Sequence, residues 1–192
     1  MTHGMHLQVL VVFAAVTAAL FAPSRAEADV CVWRDPERTM TKLFPNASDF
    51  RTVTRRLTPD LARTIEERVG LRLDDTERSE FNFYEITGRG GGRTERLGTV
   101  LALAGTGDYG AVEVVIGLGP DNRIVGAYVQ RTRERHADKL RSDEFLNQFR
   151  GRSAKDSPAR WRDVRLVDEA PTASRAVAVA VHKMVVFYDV LH

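Results

Sequence analysis

Apolar residues follow three different rhythms along this chain, and each predicts its own kind of element. The first is unbroken: "MHLQVLVVFAAVTAALFA" is apolar for about sixteen residues, interrupted only by Gln8. The second is helical. In "DPERTMTKLFPN" (35–46) Met40, Leu43 and Phe44 form one stripe, Asp35 can cap, Pro36 suits the first turn, and Pro45-Asn46 stops the helix. "TPDLARTIEERVG" (58–70) repeats the design: Thr58 caps, Pro59 opens, Leu61, Ile65 and Val69 form the stripe, and Gly70 ends it. Between these helices "DFRTVTRRL" (49–57) alternates as an exposed strand does.

From about residue 79 the period becomes two. "SEFNFYEITGR" puts Phe81, Phe83 and Glu85 on one face and Tyr84 and Ile86 near the other. "RLGTVLALAGT", "GAVEVVIGLG" and "RIVGAYVQRTRE" follow, joined by Gly-rich turns or by "GPDN" (119–122), a strong turn signal. Four such runs in succession predict an antiparallel meander. Helices then return. "SDEFLNQFRG" (142–151) has Ser142 as cap, Phe145, Leu146 and Phe149 as stripe, and Gly151 as stop. "SAKDSPARWRD" reads as an irregular polar linker anchored by Trp161, and "DVRL" as a short extended piece. A last helix is expected from about Ser174 to Val190, with Val177, Val181, Val185 and Tyr188 facing the core. The fold class expected is α+β: an antiparallel sheet of about four to five strands with helices on one face. A helix–strand–helix extension over 29–78 would cover an edge of the domain spanning 79–192.

The opening run sets the compartment. It is followed by Pro23 and by Ala26-Glu27-Ala28, a small-x-small site, so residues 1–28 have the layout of a secretory signal peptide. The alternative is an uncleaved membrane anchor, for which the run is short. The protein is expected to be exported, to the periplasm or the outer face of the cytoplasmic membrane. The single cysteine, Cys31, lies just beyond and cannot form an internal disulfide. A formal net charge of +2, with both signs interleaved as in "RTRERHADKLRSDE", gives no reason to expect nucleic acid as a partner.

Candidate chemistry is sparse. "GRGGGR" (88–93) joins two strands, whereas a phosphate cradle needs such a loop to open a helix. His136, His182 and His192 are too widely spaced for a metal-binding pair on one helix, so no metal is expected. No serine stands in a G-x-S-x-G elbow. Glu134, Asp143 and Glu144 could serve as acids or bases, but their Arg-rich surroundings predict surface ion pairs. The remaining feature is "VDEAPTASRAVAVAVHK" (167–183), where Thr172 and Ser174 crowd a helix start. Free amides and hydroxyls there can hold an anion, with Arg175 adding charge; N-capping by either hydroxyl is the plain alternative.

Three segments in this order carry a resemblance: "GLGPDNRIVGAYVQRTRE" with its D-x-x-I turn, "EFLNQFRG" as F-x-x-Q-F-x-G, and "APTASRAVAVAV". Over roughly residues 80–190 the chain resembles the extracytoplasmic FMN-binding domain family of membrane redox complexes and nitrous-oxide-reductase regulators. There the third segment reads S-G-A-T-x-T-S, and a flavin transferase joins the last Thr to the FMN phosphate. The resemblance implies an electron carrier rather than a stand-alone enzyme, with a membrane redox complex or another electron-transfer protein as partner and a flavin transferase as a possible one. It implies FMN held by Thr172, Ser174, Arg175 and the backbone, with Arg131 or Arg133 neutralising the phosphate. Phe145, Gln148 and Phe149 are motif residues assigned to packing. The acceptor position falls on Ala173, which has no oxygen to esterify, and Glu169-Ala170-Pro171 replaces the small-residue turn. The FMN is then held without a covalent link, or through Thr172 or Ser174. The alternative is a flavin-free relative acting as a periplasmic binding or assembly module. An enzyme of unrelated chemistry on the same scaffold is a third reading, for which no residue pattern speaks.

Overall fold

A computed structural model describes residues 36–90 and 93–192, all within one compact unit. The leader, its cleavage site, Cys31 and the Asp35 cap lie outside the described residues. The chain runs α1 (Pro36–Leu43), β1 (Ala47–Arg56), α2 (Pro59–Val69), β2 (Glu80–Gly90), β3 (Arg93–Gly107), β4 (Gly110–Leu118) and β5 (Ile124–Arg131). Short helices α3 (Ala137–Leu140), α4 (Asp143–Leu146) and α5 (Pro158–Arg162) then lead to the long α6 (Pro171–Leu191). The five strands form one antiparallel sheet in chain order, a meander with α2 inserted between β1 and β2. The α+β class read from the periodicities is the class observed.

Local signals account for most boundaries. The Thr58 hydroxyl accepts from the Leu61 amide, and Gly70 closes α2 in the left-handed conformation at φ 75°. Ser142 caps α4 in the same way through Phe145 N. The helix then tightens into a 3-10 turn over Asn147–Phe149. The stretch read as an irregular linker contains α5, because Ser157 and Pro158 supply a cap and a first-turn residue. The last helix begins three residues earlier than expected, since Pro171 occupies its first turn.

Alternation along the strands builds two cores of unequal size. Phe81, Phe83, Leu101, Val114, Ile116, Leu118 and Val129 face α6 and α2. There Phe81 stacks on Phe187 at 4.6 Å, and Phe83 meets Tyr188 edge-on at 5.5 Å. The opposite side chains, Ile86, Val100 and Val115, close a smaller cluster with Met40 and Phe44 of α1. So α1 does not join the other helices on one face; it covers the reverse of the sheet. Strand β1 extends the sheet at β2, pairing from Ala47 opposite Gly88 to Arg56 opposite Glu80. At the far edge, the first residue of β5 pairs with residues 151–152: Ile124 N donates to Arg152 O at 2.9 Å and Gly151 N to Ile124 O at 2.8 Å. Among the described residues no helix is long and apolar enough to cross a membrane.

Candidate functional site

The start of α6 is positioned by two short side chains. Gln148 pairs with the backbone of Arg165 as a strand would: its Oε1 accepts from Arg165 N at 2.9 Å and its Nε2 donates to Arg165 O at 3.1 Å. Two residues further on, Val167 N donates to the Ser174 hydroxyl at 3.1 Å, and that hydroxyl donates back to Ala170 O at 2.8 Å. Phe145 and Phe149, edge to face at 5.5 Å, are buried beneath this strap. The F-x-x-Q-F-x-G helix therefore fixes the 165–170 segment, and Ser174 locks the turn onto α6.

This arrangement separates the sequence candidates. Ser174 is fully buried, and its hydroxyl is occupied by internal bonds. Ala173 is equally buried against the core. Thr172 and Arg175 are exposed. The amides of Thr172 and Ala173 have no hydrogen-bond partner among the described residues, as the first turn of a helix leaves them. Arg131, the last residue of β5, and Arg133, just beyond it, are exposed, Arg131 lying 3.9 Å from Glu113. Glu144 forms the surface ion pair expected of it, with Arg165 at 2.9 Å.

Glu134 departs from its expected surface role. It is only 7% exposed. Its Oε1 accepts from Tyr109 N at 2.9 Å, across the β3–β4 turn. A Cβ at position 107 would fall on that same oxygen, so Gly107 is what lets the carboxylate reach the turn. Glu134 lines a cavity of about 250 Å³ with Asp108, Tyr109, Arg135, His136, Glu169 and Ala170. Three carboxylates thus face one guanidinium and one imidazole. Arg135 leans over the Tyr109 ring at 5.1 Å. None of Thr172, Ala173, Ser174, Arg175, Arg131 or Arg133 lines this cavity, although Ala170, the residue preceding α6, does. Sequence reading noted Glu134, His136 and Glu169 separately; their convergence with Asp108 and Tyr109 depends on the β3–β4 turn folding back toward the segment after β5.

These residues do not fit an FMN phosphoester in the manner of the resembled family. The acceptor position is a buried alanine, and its serine neighbour is tied up internally. The adjoining cavity is smaller than the few hundred Å³ or more typical of cofactor clefts, and carries the wrong charge for a phosphate. Thr172 alone offers an exposed hydroxyl beside unpaired amides. Elsewhere, Trp161 is held between the Arg152 guanidinium at 5.4 Å and the His182 ring stacked at 4.5 Å. Burial, and then the Arg68 charge, push His182 down to about 4. Among the described residues no group of three or more metal-ligating side chains converges. Compared with known proteins, the chain matches no family model and no curated relative.

Proposed function

We propose that this chain is a flavin-free extracytoplasmic module on an FMN-binding-domain-like scaffold, serving as a binding or assembly partner of a membrane redox system. One observation carries the flavin-free part: Ala173 stands buried at the acceptor position while the Ser174 hydroxyl is locked into Val167 and Ala170. The scaffold part rests on the F-x-x-Q-F-x-G and D-x-x-I segments and on the order of strands and helices around them. Export and the redox partner come from the leader-like N-terminus and from the resemblance.

A second reading is favoured by Thr172, whose hydroxyl is exposed beside two unpaired amides at a helix start. In that reading the chain is an electron carrier with FMN esterified to Thr172, and Arg175 offsets the phosphate charge. FMN would supply one- and two-electron transfer; the chain's part would be to anchor it.

The test is an absorption spectrum of protein exported from cells carrying a flavin transferase, taken before and after acid precipitation. The flavin-free module shows no flavin bands, even with added FMN. Bands that stay with the pellet, and that vanish in Thr172→Ala, would establish the carrier reading instead. Bands released to the supernatant would mean FMN held by packing and charge, and would overturn the flavin-free reading as well.

A further inference from the structure

Burial of a carboxylate is tolerated when a cation or several donors stand beside it, because a lone charge is costly to desolvate. Glu134 is 93% buried, yet no Lys, Arg or His nitrogen among the described residues comes within ion-pair distance of it. Its single hydrogen bond is from the Tyr109 amide, to Oε1. Oε2 makes no hydrogen bond among the described residues and is not sealed from solvent, and it belongs to a side chain that lines the cavity. The position is built: Gly107 makes room for the carboxylate, and Thr132 Oγ1 accepts from Glu134 N at 3.2 Å, fixing the backbone behind it.

The rest of the lining has the same preference. Asp108 and Glu169 add two carboxylates at the rim. Arg135, the one guanidinium present, is drawn onto the Tyr109 face. The positive end of α6 amounts to roughly half a charge, too little to offset three carboxylates. A bare metal ion is poorly served, since no group of three ligating side chains converges among the described residues. The volume of about 250 Å³ corresponds to several water molecules, enough for a small organic molecule.

The geometry points to this cavity as a binding site for a small organic ammonium ion, with Glu134 Oε2 as its charge partner at the cavity wall and Asp108 and Glu169 as the rim. The inference deepens the flavin-free reading and rests on it: in that reading the cavity beside the start of α6 serves a ligand of the module itself.

Isothermal titration of the purified chain with putrescine at low salt tests it, with succinate as the control of opposite charge. The absorption spectrum of the same sample is recorded first, so that flavin content is read independently of cation binding. The expected result is saturable heat with putrescine, none with succinate, and weakening as salt is raised. Glu134→Gln, which keeps the bond from Tyr109 N but not the charge, is expected to weaken putrescine by about tenfold or more. Glu169→Gln, at the exposed rim, is expected to weaken it less, and it guards against a folding defect in the first variant. No heat up to about 1 mM putrescine, or equal affinity in wild type and Glu134→Gln, would overturn the ammonium site whatever the spectrum shows.

Discussion

Glu77 and Glu134 are buried to the same extent, each 7% exposed, but the molecule treats them differently. Both oxygens of Glu77 accept from Lys183 Nζ at 2.7 Å, and one also accepts from Asp74 N at 3.0 Å. The pair ties the 74–79 loop to the middle of α6, and its charge is answered from within the fold. Glu134 has one backbone amide and, among the described residues, no cation. The first is a structural device; the second keeps an unanswered charge beside a cavity. Proteins keep such local inconsistencies mainly where something other than stability is at stake.

The largest effect should come from breaking the answered charge. Lys183→Met strands Glu77 in a site where the side chains are 13% and 6% exposed. A loss of about 3–5 kcal/mol is expected from urea unfolding, as for other broken buried pairs. Glu134→Gln should behave in the opposite way, with no loss and up to about 1 kcal/mol gained, because it removes a charge that no cation among the described residues answers. Equal losses in both variants would erase the distinction between the two glutamates.

The strap at the start of α6 comes next. Ser174→Ala leaves Val167 N without its acceptor and should lower stability by about 1–3 kcal/mol. Ser174→Thr keeps the hydroxyl but adds a methyl group to a fully buried site, so it should restore only part of the loss. A silent Ser174→Ala would mean that the hydroxyl is not structural, and would reopen it as a ligand contact.

How much of this the sequence reveals depends on the range of the contact. Thr58, Gly70, Ser142 and the "GPDN" turn act on neighbours a few residues away, and the elements they bound are legible. Strand alternation likewise reveals the meander, because each run need only pair with the next. The face chosen by α1 is not legible: its stripe of Met40, Leu43 and Phe44 would suit either side of the sheet. Glu134 is hidden for the same reason. Within "RTRERHAD" it reads as one charge in a solvated run, and only a turn 25 residues earlier buries it. Ser174 reads as an anion contact or an N-cap and is neither a cap nor free, because its acceptor role toward Val167 N depends on the path of the 165–170 strap, held by Gln148.

Acid should act on the region around Trp161 more gently than these substitutions do. His182 titrates near 4 in the fold, against its ordinary value of 6.5, so the unfolded chain binds the proton more tightly. Its contribution is complete above 6.5 and is lost as pH falls toward 4. The groups that face it are Trp161 from α5 and the Arg68 charge from α2. The ring is half-buried, so the loss is tempered by solvent. Urea midpoints across that window should fall less steeply for His182→Gln than for wild type. Parallel curves would assign the acid sensitivity to carboxylates such as Glu85, which the Arg51 hydrogen bond holds below its usual range.

The smallest effect is the most diagnostic for the helix start. Thr172 sits one residue after Pro171, is exposed and makes no hydrogen bond among the described residues, so Thr172→Ala should change stability by no more than about 0.5 kcal/mol. Among the described residues no side chain caps α6; Ser174 instead ties Val167 N to the first turn. A loss near 1 kcal/mol would show instead that Thr172 caps α6 in solution, and its hydroxyl would then be engaged and unavailable for esterification. With stability unchanged, any flavin that disappears in Thr172→Ala disappears for a chemical reason and not through unfolding. The variant therefore separates the two functional readings only because the fold places no structural demand on that side chain.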